Sequence, residues 1–554
     1  MPVRHGITRR DAILILVGAS CMHIFSLLFA NETPAQQVVL ADPVIHDNFP
    51  PDLPPPEKVI HYTKTTTLIQ PTTTTVISTQ PTEGPSRDSP VDFAAELPPT
   101  TLVSHAPGWT LFRDVYMAND TFYIVTDEKS KYPEIRMMTS TPLEAFATQE
   151  SIDAREPTEW SMTFLTPAEA AQKWGADVRN GRRNRVSSVD GNTVFVNEPK
   201  QFLRHYYHLV AELLFGVQAM WHGAFTEPIA ATAESETAYS LGPFPAPPPI
   251  TRFIFARTNA GGWRDNPGFN RYILRAAFPS ATVEVEEDWA DRVSITTTGE
   301  RAWHFPLLLL TDRSASHRGQ ICGSETQRIA AEPFEAMHRQ GKLAGFRVGG
   351  WWEPVRSAIL RFAGADINPP DNTDAEQVVL SGEGDLKLPM PSKVVVTYIS
   401  RQSAGNRKLT QEAHDELVFS LQELAKAKGP SWELNIIKAE ELTKDEQIRI
   451  ASRTTILLGV HGNGLTHLIM MQPTRISTVI EIFYPGGFAH DYQWTTQALG
   501  MRHFAVWNDT WRTHGIGEGK PNVAYPDPGF QGNAIPVHGP TIVKLIEDRV
   551  EMRV

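Results

Sequence analysis

The chain has 554 residues, more than one ordinary hydrophobic core accommodates, so two or more domains are expected. Apolar residues make up 41%, aromatics 9% and charged residues 21%, a globular composition that excludes wholesale disorder, collagen and a coiled coil. Lys+Arg number 51 against Asp+Glu 63, a net charge of -12 that argues against a nucleic-acid partner, and the two cysteines, Cys21 and Cys322, cannot build a disulfide framework or a structural zinc site.

Residues Ala12 to Ala30 (AILILVGASCMHIFSLLFA) run for 19 residues without Asp, Glu, Lys or Arg, enough to cross a bilayer as a helix. Arg4, Arg9 and Arg10 precede the run. Glu32, Asp42 and Asp47 follow it, with no Lys or Arg before Lys58. Positive charge on the short side holds that side in the cytosol. The expectation is a cytosolic tail at 1–11, a transmembrane signal anchor at 12–30 and a lumenal remainder, a single-pass type II protein of the Golgi or ER membrane. A cleaved signal peptide is the alternative, although Leu28-Phe29-Ala30 is a poor small-x-small cleavage site. Residues 31–105, with YTKTTTLIQPTTTTVISTQPTEGPSRDSP at their centre, are Thr/Pro-rich and short of large apolar groups. Such a segment cannot offset its chain entropy by burial and reads as a disordered, O-glycosylated stalk or plain linker. N-x-S/T sequons stand at Asn31, Asn119 and Asn508. The layout holds an enzyme at the face of a secretory membrane, and it suits glycosyltransferases, type II proteases and sulfotransferases alike.

Residues 106–388 form the first expected α/β domain. Strands are predicted at Phe122 to Thr126, Thr193 to Asn197, Thr251 to Ala256 and His304 to Leu310, with a long helix from Phe202 to Trp221 and a Pro/Ala-rich loop from Ala230 to Pro249. Residues 389–554 form the second and alternate more regularly. Lys393 to Ser400 is a β-branched, buried strand, followed by a helix from Thr410 to Lys428 and a strand from Trp432 to Lys438. Thr443-Lys-Asp-Glu446 is a capping box that opens a helix. Thr454 to Val460 is an apolar strand that leads through a Gly-rich loop into a helix from Leu465 to Met471. A strand at Ser477 to Phe483, a helix at Asp491 to Leu499, a strand at His503 to Trp507 and a helix from Pro540 complete the chain. Strands alternating with helices imply a parallel, doubly wound sheet.

The chemistry concentrates in Gly459-Val-His461-Gly462-Asn463-Gly464-Leu-Thr-His467, at the C-terminal end of a buried strand, where doubly wound sheets bind ligands. Gly462 and Gly464 let the backbone approach a ligand, and the helix that follows aims N–H groups at the same spot, which suits a phosphate or diphosphate. The loop is neither G-x-G-x-x-G nor a P-loop, since His467 occupies the third glycine's place and no Lys-Ser/Thr follows. A tight turn without a ligand is the plain alternative, but such a turn has no need of the His461 imidazole. Arg401 ends the first strand of the same domain, with Arg407 and Lys408 a short loop later. A parallel sheet brings them to the edge of His461, where a guanidinium can fork onto phosphate oxygens, although a solvated Arg is the simpler reading of Arg401 alone. Glu481, at the tip of the next strand, is a candidate acceptor for ribose hydroxyls or else a strand-end salt bridge. In the first half, Arg204-His205-Tyr-Tyr-His208-Leu-Val-Ala-Glu212 sets His208 and Glu212 at i and i+4 on one helix face. That pair can take a proton from a sugar hydroxyl, or can be a satisfied structural pair. It is not H-E-x-x-H, and the chain has no G-x-S-x-G, no D-x-D and no Cys-based nucleophile context.

At these residues the chain resembles the family 61 glycosyltransferases, which include plant xylosyl- and arabinosyltransferases and animal O-linked N-acetylglucosaminyltransferases. The similarity runs from about Thr110 to Asp509 and is most specific at Ile399-Ser-Arg401, Glu446-Gln447, Val460-His-Gly-Asn-Gly-Leu-Thr466 and Val479-Ile-Glu481, with Tyr207-His208 and Glu212 similar to the family's aromatic-His-x-x-x-acid helix. Asn463 stands where Ala is usual, and Glu212 where Asp is frequent. The resemblance implies two facing Rossmann-like domains of the GT-B type and an inverting transfer from a UDP-sugar, xylose or N-acetylglucosamine, to a glycan or glycoprotein acceptor. The UDP-sugar is a co-substrate and no cofactor is obligatory. Arg401, Arg407, His461, Gly462, Asn463, Gly464 and Glu481 would hold the donor, and Glu212 or His208 would serve as base. An inactive lumenal carbohydrate-binding protein on the same fold, and a hydrolase using His208 and Glu212, are the other classes.

Overall fold

A computed structural model describes residues 97–146, 148–176, 184–226, 247–316, 332–340, 342, 349–366, 390–513, 523–526 and 529–554. The expected tail, the anchor at 12–30, the stalk up to residue 96, both cysteines and most of the Ala230 to Pro249 loop lie outside the described residues. No described helix is long and apolar enough to cross a membrane.

Two sheets organise the described chain into a mixed α/β architecture. The second is the more regular, with six strands in the order β11 (Trp432–Lys438), β10 (Val394–Ser400), β12 (Ile456–Val460), β13 (Thr478–Ile482), β14 (Arg502–Trp507) and β15 (Thr510–Arg512). All neighbours are parallel except β14 and β15. Every residue of β10, β12 and β13 is buried, the pattern of strands covered on both faces. Helices Gln411–Lys428 and Lys444–Arg453 make the crossovers, and Thr443 and Glu446 close the expected capping box. Because β11 lies outside β10 while β12 lies inside it, the winding reverses between β10 and β12. Ile399 is in register with Gly459, so Arg401 and His461 leave the sheet side by side at this switch point.

The first sheet has nine strands and is mixed. Its parallel part, β8 (Thr282–Glu284), β7 (Arg252–Phe255), β6 (Asn192–Val196) and β9 (Ala302–Thr311), reverses its winding between β6 and β9. β2 (Trp109–Ala118) pairs antiparallel with β9 and carries β3 (Thr121–Val125) and β1 (Thr101–Ala106). β4 (Met162–Leu165) and β5 (Val186–Ser188) complete it. β1 corrects the stalk boundary: residues 101–105 are sheet, because the turn at Pro107-Gly108, with Gly108 at φ 78°, folds them back onto β2.

One core runs through both halves and joins Trp109, Leu309, Phe215 and Trp351 to Ile399, Leu457, Leu465 and Val479. Trp352 donates its indole N–H to the Ile469 carbonyl across this layer at 2.9 Å. The long helix expected from Phe202 to Trp221 is present in pieces, and its middle, Tyr207–Leu214, is π-helical rather than α-helical before Phe215–Ala224 resumes the α form. A Cβ at Gly216 would lie 2.4 Å from the Trp109 ring, so glycine lets this helix seat against β2.

Candidate functional site

At the switch point of the second sheet, Gly462 adopts φ 153°, ψ 173°, a conformation essentially reserved for glycine. A Cβ there would stand 2.7 Å from Arg401 Nη1 and 3.6 Å from Arg407 Nη1, so both guanidinium groups lie over this residue. Arg401 donates from Nη2 to the Asn406 carbonyl at 3.2 Å, while its buried Nε has no partner among the described residues. Arg407, with φ 56°, donates to Gln531 Oε1 at 2.9 Å and lies over the Phe530 ring. Burial lowers the Arg401 pKa, and the adjacent Arg407 charge lowers it further. Two cations held together, with no carboxylate ion-paired to either among the described residues, form a seat for an anion of more than one charge.

His461 is buried against the face of Phe483, and its Nδ1 lies 2.5 Å from Glu481 Oε1. Burial drives its pKa well below the ordinary value, with Arg407, Arg401 and His503 acting in the same direction, so the imidazole is neutral. Glu481 is 0% exposed, and its second oxygen lies 2.7 Å from His503 Nε2. Burial pushes its carboxyl well above the usual range and Asp491 adds to the effect. A protonated Glu481 donates to His461 Nδ1 and accepts from His503, which leaves the His461 proton on Nε2. Glu481 therefore positions His461 and is not open to ribose hydroxyls, a correction to the sequence expectation.

A Cβ at Gly464 would stand 3.1 Å from the Ile399 side chain, so a glycine here also lets the loop pack on β10. The segment after the loop, Asn463–Met470, is a 3₁₀-helix rather than the α-helix expected from Leu465. The Leu465 N–H is already used by the Gly462 carbonyl at 2.9 Å. Asn463 is exposed. Together with Gly464 it walls a cleft of about 1000 Å³ between the two halves, whose other walls include Lys200, Arg204, His205 and Lys444.

On the other half, His208 Nδ1 lies 2.8 Å from Glu212 Oε2, so the π-helical turn keeps the i, i+4 pair together. Glu212, 3% exposed, also accepts from Arg313, which bridges to Glu198. Burial acts to raise the Glu212 pKa, but His208 and Arg313 outweigh it and the carboxyl is held low. For His208 burial acts downward, Glu212 outweighs it, and the pKa is raised. Arg313 follows β9, and Glu198 lies two residues past β6, at the switch point of the first sheet. Neither was singled out from sequence.

The helix Asp491–Ala498 joins the two clusters. The Tyr492 ring centroid lies 5.6 Å from that of His461 and 4.9 Å from that of Tyr207. Tyr207 donates its hydroxyl to the Asp491 carbonyl at 2.5 Å. Sequence reading found this helix but neither Asp491 nor Tyr492, because a two-residue helix start carries no chemical pattern of its own. Among the described residues no group of three or more His, Cys, Asp or Glu side chains is arranged to hold a metal ion.

Residues 206–480 match the family model for glycosyltransferase 61. The chain is 31% identical over 83 residues to the EGF domain-specific O-linked N-acetylglucosamine transferase of Drosophila melanogaster, covering 15% of this chain and 14% of that protein. It is 35% identical over 85 residues to the protein of the same name from Mus musculus, covering 15% of each. These alignments thus span only 14% and 15% of the relatives' own lengths. The family match begins beside His208 and Glu212, takes in Arg401 and Gly462 and ends one residue before Glu481, so the stretch that carries the site, residues 206–480, is that of the glycosyltransferase 61 family.

Proposed function

We propose that this glycosyltransferase is inverting and takes its sugar from a UDP-sugar, for delivery to a glycoprotein or glycan acceptor. The observation that carries the reading is the pair of guanidinium groups, Arg401 and Arg407, converging over Gly462 with no ion-paired carboxylate among the described residues. A nucleoside diphosphate supplies that charge and gains more of it as the glycosidic C–O bond breaks. Preorganised cations then stabilise the leaving group, and losing one such donor costs about 10²–10³ in rate. The neutral His461 adds an N–H donor beside them. No obligatory metal is required by this reading. The acceptor hydroxyl would approach from the side of His208 and Glu212, with the remainder of the acceptor in the cleft walled by Arg204 and His205 on one half and by Asn463 and Gly464 on the other. Of xylose and N-acetylglucosamine, the names of the two relatives favour N-acetylglucosamine and a protein acceptor. The apolar run at 12–30 favours a type II anchor that places the reaction in the Golgi or ER lumen, with the described residues lumenal.

Calorimetric titration of the full-length chain with UDP tests the reading. Wild type should bind, and Arg401→Ala should bind at least tenfold more weakly. Equal binding by the two would remove the diphosphate seat. A panel of UDP-sugars then separates transfer from donor hydrolysis, and from acceptor binding without turnover.

A further inference from the structure

We propose that Asp491 is the general base that accepts the proton of the acceptor hydroxyl. The inference rests on the glycosyl-transfer reading above and names a third carboxyl group in place of the two residues the helix motif offers. Glu212 is a poor base because its Oε2 is already committed to His208 and Arg313, which hold it ionised. His208 is tied through Nδ1 to that same carboxylate, which favours its protonated form, and an imidazolium has no lone pair for a proton.

Asp491 differs from both. It is 9% exposed, and its Oδ1 is buried without a hydrogen-bond partner among the described residues. Its backbone is fixed instead: the carbonyl accepts from the Tyr207 hydroxyl at 2.5 Å and the Thr495 hydroxyl at 3.1 Å. The carboxyl sits where the two clusters meet. It senses His208 and Glu212 from the π-helical segment and Arg407 from the loop after β10, and it acts in turn on Tyr207, on Tyr492 of its own helix and on Glu481 of β13. Burial pushes its pKa up to about 7, Glu212 adds to the rise, and His208 and Arg407 oppose it. A carboxyl with a free lone pair and a pKa near the working pH is the form efficient base catalysis needs.

The step balances without a further reagent. The acceptor O–H gives its proton to Asp491 Oδ1 as the oxygen lone pair forms the bond to the anomeric carbon. The bond from that carbon to the diphosphate oxygen breaks, and its electron pair leaves on UDP at Arg401 and Arg407.

The test is the transfer rate of the full-length enzyme between pH 5.5 and 8.5, beside Asp491→Asn. Wild-type kcat should rise through about pH 7. Asp491→Asn should lose at least about 100-fold in kcat, keep its UDP Kd within threefold and no longer show the rise. An Asp491→Asn enzyme within threefold of wild-type kcat overturns the assignment while leaving the transferase reading intact. So does a wild-type profile flat across that range, which needs no variant to fold. Loss of UDP binding together with rate would show a structural role and also overturns it. A wild type that binds UDP but turns over no UDP-sugar overturns the transferase reading itself, and Asp491 as base falls with it.

Discussion

His461 Nδ1 and Glu481 Oε1 stand 2.5 Å apart on adjacent parallel strands, and the other Glu481 oxygen is 2.7 Å from His503 Nε2. With the carboxyl protonated, Glu481 gives one hydrogen bond and takes one. Glutamine does the same with its amide. Glu481→Gln should therefore keep UDP affinity within threefold and leave the urea midpoint nearly unchanged. Glu481→Ala should cost about 3 kcal/mol, because it opens a cavity and leaves two buried imidazoles unpaired. Urea unfolding of both variants at pH 7 checks this, and a Glu481→Gln variant as unstable as Glu481→Ala would show that the native carboxyl is ionised.

Gly462 and Gly405 offer a matched pair of substitutions near the arginines. Alanine at Gly462 is forced into a glycine-only conformation and meets Arg401 Nη1 at 2.7 Å, whereas alanine at Gly405 meets nothing within 4 Å. Gly462→Ala should lose about 1–3 kcal/mol of stability and at least tenfold in UDP affinity, as Arg401 is pushed from its place. Gly405→Ala should be silent in both calorimetry and melting.

Arg313 bridges Glu198 and Glu212 in a site closed to water, with 8% of its side chain exposed. Arg313→Met leaves the buried Glu198 without its cation and Glu212 with His208 alone, and should destabilise the fold by about 3–5 kcal/mol. Adding Glu198→Gln to that variant should recover part of the loss, since one of the stranded charges is gone. A double-mutant cycle in urea reads the coupling directly, and strict additivity would mean that the bridge carries no net energy.

The parts of this architecture that sequence revealed are those with short-range causes. β10, β12 and β13 announce themselves as apolar runs, Thr443 and Glu446 cap their helix within four residues, and parallel strand ends put Arg401 beside His461 by topology alone. Side-chain direction was less visible. Glu481 alternates with Ile480 and Ile482 and shares the face of Val479, which turns it inward beneath His461 rather than outward to a ligand. Arg313 reaches Glu212 across a separation of 101 residues, which no local pattern encodes. The π-helical turn at Tyr207–Leu214 changes hydrogen-bond spacing without changing the apolar pattern, so periodicity alone reads it as α-helix. Gly464 and Gly462 look alike in sequence, yet one serves Ile399 and the other Arg401.

His467 ties the halves together and makes their union sensitive to acid. Its Nε2–H donates to Gln447 Oε1 at 2.9 Å, and its Nδ1 accepts from the Tyr206 hydroxyl at 3.3 Å. A second proton on the ring would have to enter at Nδ1, against that hydroxyl and away from water. Burial accordingly lowers its pKa from 6.5 to about 4. An unfolded chain binds this proton below pH 6.5, whereas the folded chain refuses it until about 4. The stabilisation from the neutral ring is thus complete above pH 6.5 and is lost progressively as the pH falls toward 4, by about 3 kcal/mol in all. His467→Gln should be less stable than wild type at pH 7.5, but its urea midpoint should fall less steeply between pH 6.5 and 4, with one fewer proton taken up on unfolding. Parallel curves for the two proteins would mean that the folded state accepts the proton as readily as the unfolded one, and that the joint between the halves does not depend on a neutral His467.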